Sequence, residues 1–389
     1  MIPYARQNVS EEDVAAVVAV LRSDFLTQGP AIERFEQRVA EVCGARHAVA
    51  VSSATAGLHL ACLALDLGPG RTLWTSPNTF VASANCARYC EADVDFVDVE
   101  ADSGNLSVAA LEAKLEHAAR EERLPHVVVP VHFAGLPCDL AGIGRLAQRY
   151  GFQVVEDAAH ALGATIAGEP VGSGRFSAFT VLSFHAVKIV TTGEGGVVLT
   201  NRNDLAVTLR RLRSHGITRD AEVMGGPVEG PWFYEQIELG YHYRMTDLQA
   251  GLGVSQLGRL PEFLRRRREL AARYDSELAG LPVQLPARRT DRESSWHLYP
   301  IVIDSSRCSR SRAEVFAAMR RAGVGVNVHY IPVHLQPYYR RLGFKPGDCP
   351  VAEARYRGAL TLPLFYGMTD TQQDEVVTAL RAAVAEGAA

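Results

Sequence analysis

Between about residue 48 and residue 215 the chain alternates short β-branched runs with segments of helical period, and no other feature restricts its fold as tightly. Several of these runs are apolar throughout, as strands buried on both faces are, so they need helices above and below a mostly parallel sheet. The pattern predicts strands over Ala48–Ser52, Thr72–Ser76, Val94–Val99, Val127–His132, Gln153–Glu156, Phe179–Ser183 and Gly196–Thr200. Ser107–Arg123 and Leu140–Tyr150 read as crossover helices, and Ser10, with Asp13 three residues on, as the cap of an opening helix through Leu21.

After about residue 245 the texture changes to a basic amphipathic helix (Leu260–Leu278), a proline-rich passage (Leu281–Arg292), a strand-like His297–Ile303, a helix Ser311–Ala322 and a strand Gly325–Tyr330. The reading is an α/β fold, with a large domain over 1–245, a smaller α+β domain over 246–389, and a small-molecule site in the cleft between them. Arg265–Arg268, flanked by Glu262 and Glu269, reads as a solvated helix face.

At 389 residues and 47 % hydrophobic the chain can bury a large core, which excludes a disordered or fibrous protein. Its 40 Lys and Arg against 44 Asp and Glu give a net charge of −4, so no global positive field is available and nucleic acid is not an expected partner. The odd number of cysteines, seven, sits inside apolar or helical runs, as structural thiols in a reduced cytoplasm would. Cys86 and Cys90 are four apart but lack a second pair or adjacent His, and the twelve His are mostly scattered singly, so no metal site is expected. The opening MIPYARQNVSEEDV has no apolar core, and neither an export signal nor a membrane span is expected.

One stretch dominates the chemistry: Ser183-Phe184-His185-Ala186-Val187-Lys188, followed by Thr191-Thr192-Gly193-Glu194-Gly195-Gly196. A lone lysine closes a strongly apolar run. Burial favours the neutral amine and lowers its pKa, the property a Schiff-base lysine needs. A side chain that snorkels, or pairs with Glu156 or Glu194, is the plainer alternative. Asp157 stands just past the end of another apolar strand, where a carboxylate can keep a pyridinium nitrogen protonated or can simply cap a helix. The small Ala158 and Ala159 beside it would let a flat ring lie against the backbone. Val49–Leu58 reads as strand, hydroxyl-rich turn and helix, which is either a phosphate cradle or an ordinary N-cap, and it lacks the Gly-Lys-Ser/Thr of a P-loop. Phe80 on a strand-end loop is a stacking ring or ordinary core. Together, a phosphate turn, an aromatic, an acidic partner and a strand-end lysine cover the needs of pyridoxal phosphate.

Over essentially its whole length the chain resembles the DegT/DnrJ/EryC1/StrS sugar aminotransferases, from Thr27-Gln28-Gly29-Pro30 through Glu156-Asp157-Ala158-Ala159-His160 and Ser183-Phe184-His185-x-x-Lys188 to Gly240-Tyr241-His242-Tyr243-Arg244-Met245-Thr246-Asp247. The resemblance implies the type I, aspartate-aminotransferase-like fold and pyridoxal 5'-phosphate as cofactor. It makes Lys188 the cofactor-binding lysine and Asp157 the pyridine partner, with His160 near the ring's phenolic oxygen. Phe80 and Ala159 would flank the ring. Ala54, Thr55 and Ser183 would hold the phosphate, completed by Arg244 or His242 of the other subunit; the family often has Asn in this loop, but a bidentate cation suits a phosphate. A site shared in this way implies a homodimer. Tyr4, Arg6, His185, His329 and Tyr330 would lie near the sugar or its diphosphate.

The segments Trp74–Cys86, Arg213–Arg219 and Asn327–Tyr339 are similar to the branch that makes the pseudaminic acid precursor. That likeness implies amino transfer from L-glutamate to C4 of UDP-2-acetamido-2,6-dideoxy-β-L-arabino-hex-4-ulose, with Lys188 moving the proton. A sister enzyme using another 4-keto or 3-keto nucleotide sugar is the alternative. The family's dehydratase branch typically has His where Lys188 stands, and a non-catalytic relative would be free to lose Lys188 or Asp157; this chain keeps both.

Overall fold

The computed structural model describes residues 1–385. All seven expected strands of the large sheet form, as β1 (His47–Val51), β2 (Thr72–Thr75), β3 (Asp93–Phe96), β4 (Val127–Val129), β5 (Gln153–Asp157), β6 (Phe179–Ser183) and β7 (Gly196–Thr200). Their order is β1-β7-β6-β5-β4-β2-β3. From β6 across to β3 every neighbour is parallel, whereas β7 runs antiparallel to both β6 and β1. The link from β6 to β7 carries no helix, so the chain returns directly beside the strand it has left.

Successive strand residues face opposite sides, and the packing follows that period of two. Val49 and Val51 of β1 join Val181 and Val198 under the helices α1 (Ala54–Ala64), α2 (Ala82–Tyr89) and α3 (Asn203–Arg213). Ala48 and Ala50 face the other way, with Leu182 and Val197, toward Phe35 and Val39 of a helix at Pro30–Cys43. The crossover helices Val108–Arg120 and Leu140–Tyr150 cover Trp74, Val128 and Val154. The opening helix, Glu11–Leu21, carries the expected capping box: Ser10 Oγ accepts from the Asp13 amide, and the Asp13 carboxylate accepts from the Ser10 amide at 2.9 Å.

The C-terminal part has its own antiparallel sheet of Val283–Gln284, Tyr299–Ile303 and Ala359–Leu362, packed with helices Arg312–Arg321 and Asp370–Ala385 around Tyr299, Met319, Leu362 and Leu380. The helix Leu260–Glu277 joins the two cores, with Phe263 and Leu264 in the large one and Leu270 and Tyr274 in the small one. Two expectations need correction. Arg267 is not on a solvated face: it is buried and donates to the carbonyls of Trp296, His297 and Leu364, while Arg265, Arg266 and Arg268 pair with Glu269 or Glu293. Gly325–Tyr330 is not a strand, for its one ladder contact is a single bridge, Asn327 to Thr361, following another from Val324 to Ile2 just before it, and it then turns into the cleft.

Candidate active site

The parallel strands end on one edge of the sheet, and a cavity of about 640 Å³ opens there, closed on its far side by residues of the C-terminal part. Just past β1, Ser53 caps α1 by accepting from the Ala56 amide at 3.1 Å. The amides of Ala54 and Thr55, in the first turn, have no carbonyl within their own helix to bond and stand at the cavity wall. The start of β7 presses against this turn. A Cβ on Gly196 would lie 2.5 Å from the Ser53 carbonyl carbon and 2.6 Å from the Ala54 nitrogen, so only glycine fits there.

Asp157 ends β5 and is buried. Its Oδ1 accepts from the Ala159 amide at 3.1 Å and its Oδ2 from the Ser83 hydroxyl at 2.6 Å. Ser83 in turn is hydrogen-bonded to Thr79 at 2.7 Å, so Thr79 donates along the chain toward the carboxylate. Each carboxylate oxygen keeps acceptor capacity for a further N–H at the cavity.

Lys188 stands on the turn after β6, its amide donating to the His185 carbonyl at 2.9 Å. The two carboxylates named above as its plainer partners are placed elsewhere: Glu156 bonds His132 at 2.9 Å and Ser177, while Glu194 is exposed and near His185. Among the described residues no carboxylate forms an ion pair with this amine. Desolvation lowers its pKa from 10.5 to about 8, against the pull of Asp157 the other way. At pH 7 about a tenth of such amines are neutral, against about three in ten thousand for an ordinary lysine. Capture of a free aldehyde by Lys188 is therefore expected to accelerate with pH and level off near pH 8, followed as the rise of visible absorbance after mixing with pyridoxal phosphate; a rate still climbing tenfold per unit above pH 9 would contradict it. The unfolded chain binds this proton up to about pH 10.5, so between about pH 8 and 10.5 unfolding takes up a proton and this lysine makes the cofactor-free protein more stable as pH rises.

Phe80, 60 % exposed, borders the cavity together with Ala159, Ser183 and His185. Tyr4, His160, His329 and Tyr330 also line it. Burial and the nearby Lys188 charge push His160 and His297 well below the ordinary imidazole range and His329 down to about 4, so these three are neutral at pH 7. Of the sequence-predicted residues, twelve line the cavity and two do not. Arg6 is exposed outside it. Arg244 lies beside Arg213, half-buried, with its pKa lowered by desolvation and by that neighbour, and its Nε has no hydrogen-bond partner among the described residues. Sequence reasoning missed Ser83, Thr79 and His297. Ser83 left a faint signal, a buried hydroxyl on the otherwise small and apolar start of α2, three residues after Phe80.

The site fits pyridoxal phosphate on its own chemistry: free helix amides for a phosphate, an acceptor for a ring N–H, and an uncommitted amine for the aldehyde. The class this defines is an enzyme of the type I pyridoxal-phosphate fold. The chain belongs to the DegT/DnrJ/EryC1/StrS aminotransferase family, which it matches over residues 7–381. It is similar to the spore coat polysaccharide biosynthesis protein SpsC of Bacillus subtilis, 38 % identical with 98 % of this chain and 96 % of that one aligned. Among solved structures it resembles Helicobacter pylori PseC, an aminotransferase involved in the biosynthesis of pseudoaminic acid (TM-score 0.90, 27 % identity, 99 % of both chains). It likewise resembles the protein described as putative sugar aminotransferase Spr1654 of Streptococcus pneumoniae, in its PMP form (TM-score 0.89, 30 % identity, 99 % of this chain and 100 % of that one). Spr1654 is also solved in a PLP form. This chain is a pyridoxal-phosphate-dependent sugar aminotransferase.

Proposed function

We propose that the enzyme moves the amino group of L-glutamate to C4 of UDP-2-acetamido-2,6-dideoxy-β-L-arabino-hex-4-ulose, giving UDP-4-amino-4,6-dideoxy-N-acetyl-β-L-altrosamine and 2-oxoglutarate, a step toward pseudaminic acid. The observation that carries the reaction type is Lys188, an amine with a lowered pKa and no ion-pair partner among the described residues, sharing one cavity with Asp157. Pyridoxal phosphate, when bound, supplies the electron sink that labilises a C–H bond next to nitrogen and carries the amino group between donor and acceptor. Ala54, Thr55 and Ser183 would hold its phosphate, Phe80 and Ala159 would flank its ring, and His160 would face its phenolic oxygen. Asp157, fixed by Ser83 and Ala159, would accept the ring N–H and so favour the protonated ring. Lys188 would be the amine that holds the cofactor and, once free as a neutral base, would move the proton at the substrate carbon that bears nitrogen.

For the sugar, Tyr4, Asn327, His329 and Tyr330 offer neutral hydrogen-bonding groups suited to hydroxyls and an acetamido group. UDP and the sugar's configuration are supported by the likeness of Trp74–Cys86 and Asn327–Tyr339, which bring Thr79, Phe80 and Asn327–Tyr330 to the cavity, and by the likeness to PseC. Because SpsC is more similar in sequence than PseC, a sugar panel carries the decision. With glutamate as donor, amino sugar formation from UDP-4-keto-6-deoxy sugars, read by mass spectrometry and NMR, should be fastest with the L-arabino ketone; a clear preference for another sugar would move the substrate to a sister pathway.

The second copy that Arg244 would serve has apolar surface to cover: Phe25, Leu26, Trp232 and Leu239 are all exposed. Light scattering is expected to give twice the chain mass, and a monomer with full activity would contradict the shared site. The division into a larger cofactor-holding part, 1–245, and a smaller part, 246–389, follows the passage from the seven-stranded to the three-stranded sheet, and limited proteolysis between them would test it. The seven cysteines, all free, suit the cytoplasm, where cell fractionation should find the enzyme.

A further inference from the structure

His160 has a ring nitrogen committed as an acceptor: its Nδ1 takes the Ala134 amide hydrogen at 3.3 Å. Only an unprotonated nitrogen accepts, so the single proton of the neutral ring resides on Nε2. His297, its ring tilted by 43° at 4.4 Å between centroids, packs against the His160 ring and helps hold it in place. The Nε2–H faces the hydroxyl of Tyr330 at 3.3 Å and donates to it. The tyrosine oxygen is thereby an acceptor on that side, and its own proton turns away from His160. No second partner for this hydroxyl occurs among the described residues, and the side chain lines the same cavity as Lys188. Tyr330 is pinned from behind as well, its amide donating to Asn78 Oδ1 at 3.3 Å while the Asn78 side chain donates to the Gly104 carbonyl at 3.0 Å. Burial raises its phenol above the usual range, so the proton stays on it.

Resting on the aminotransferase reading above, we propose that Tyr330 is an oriented hydrogen-bond donor to the oxygen at the keto carbon, and that His160 is the positioning residue that aims it. When a keto group exchanges for an amine, the C=O bond gives way to C=N and the oxygen leaves as water, both of its hydrogens coming from the amine that replaces it. Tyr330 lends a hydrogen bond to that oxygen as charge gathers on it and keeps its own proton throughout. The same oxygen arrives, in reverse, when the donor amino acid leaves as a keto acid. The C–H step at the amino acid's α-carbon involves no such oxygen and should not need Tyr330.

The test separates the two. In deuterated buffer with cofactor bound, exchange of the α-hydrogen of glutamate is followed by NMR alongside the release of 2-oxoglutarate. Tyr330→Phe should keep the exchange within about threefold of the unaltered enzyme while slowing keto-acid release about 10- to 100-fold. His160→Leu should lower the ratio of release to exchange by a similar factor, whatever it does to each rate, and His160→Gln, which keeps an N–H near the lost Nε2, should restore part of that ratio. Exchange and release falling together in Tyr330→Phe, neither of them changing there, or His160→Leu leaving that ratio intact would overturn the proposal. Absence of exchange in the unaltered enzyme would overturn the aminotransferase reading itself, and this inference with it.

Discussion

Lys188→Ala is expected to lower turnover by at least about a thousandfold while the protein still folds. The amine is both the group that changes places with the donor amine and the base that moves the proton, and general acid–base catalysis by a positioned group alone is worth about 10²- to 10⁴-fold. The fold should tolerate the loss because no carboxylate among the described residues is left unpaired when the ammonium goes; Glu156 keeps His132 and Ser177. The variant should hold pyridoxal phosphate only non-covalently. Turnover by 2-oxoglutarate release, with the melting midpoint by circular dichroism beside it, measures both halves, and activity within tenfold of the unaltered enzyme would end the assignment of Lys188.

Asp157→Asn is expected to lower turnover by about a hundredfold or more at saturating cofactor. The carboxylate is held at the end of β5 by Ser83 and Ala159 with acceptor capacity left over for a ring N–H. The amide keeps the size and one acceptor oxygen but removes the negative charge, so the ring nitrogen loses the group that favours its protonated form and becomes a poor electron sink. The amide NH₂ would also have to face either the Ser83 hydroxyl or the incoming ring. Steady-state kinetics at several cofactor concentrations separate weaker binding from slower chemistry, and near-normal kinetics would contradict the role given to Asp157.

What the sequence disclosed, and what it withheld, follows from how local each signal is. The seven strands were legible because each is a short apolar run whose neighbours in sequence are helices, and Lys188 and Asp157 stood out as single polar groups at the ends of such runs. The reversed direction of β7 was not legible: Gly196–Thr200 reads like any buried strand, and only its partners in the sheet fix its sense. The solvated reading of Arg265–Arg268 failed at Arg267 because one face of that helix meets three carbonyls from segments 29 to 97 residues away. Gly325–Tyr330 has the composition of a strand, but its residues serve the cavity wall instead of a ladder. Ser83, His297 and Asn78 matter through contacts with Asp157, His160 and Tyr330, which are 74, 137 and 252 positions distant in the sequence, so no local pattern marks them.

The most direct test of the central claim, that Lys188 carries the cofactor of an amino-transferring site, is borohydride reduction of the purified protein with pyridoxal phosphate, followed by peptide mass spectrometry. Reduction should fix the phosphopyridoxyl group on the peptide containing Lys188 and nowhere else, and prior incubation with L-glutamate should greatly reduce the labelling. Labelling at another lysine, or none at all, would contradict the account.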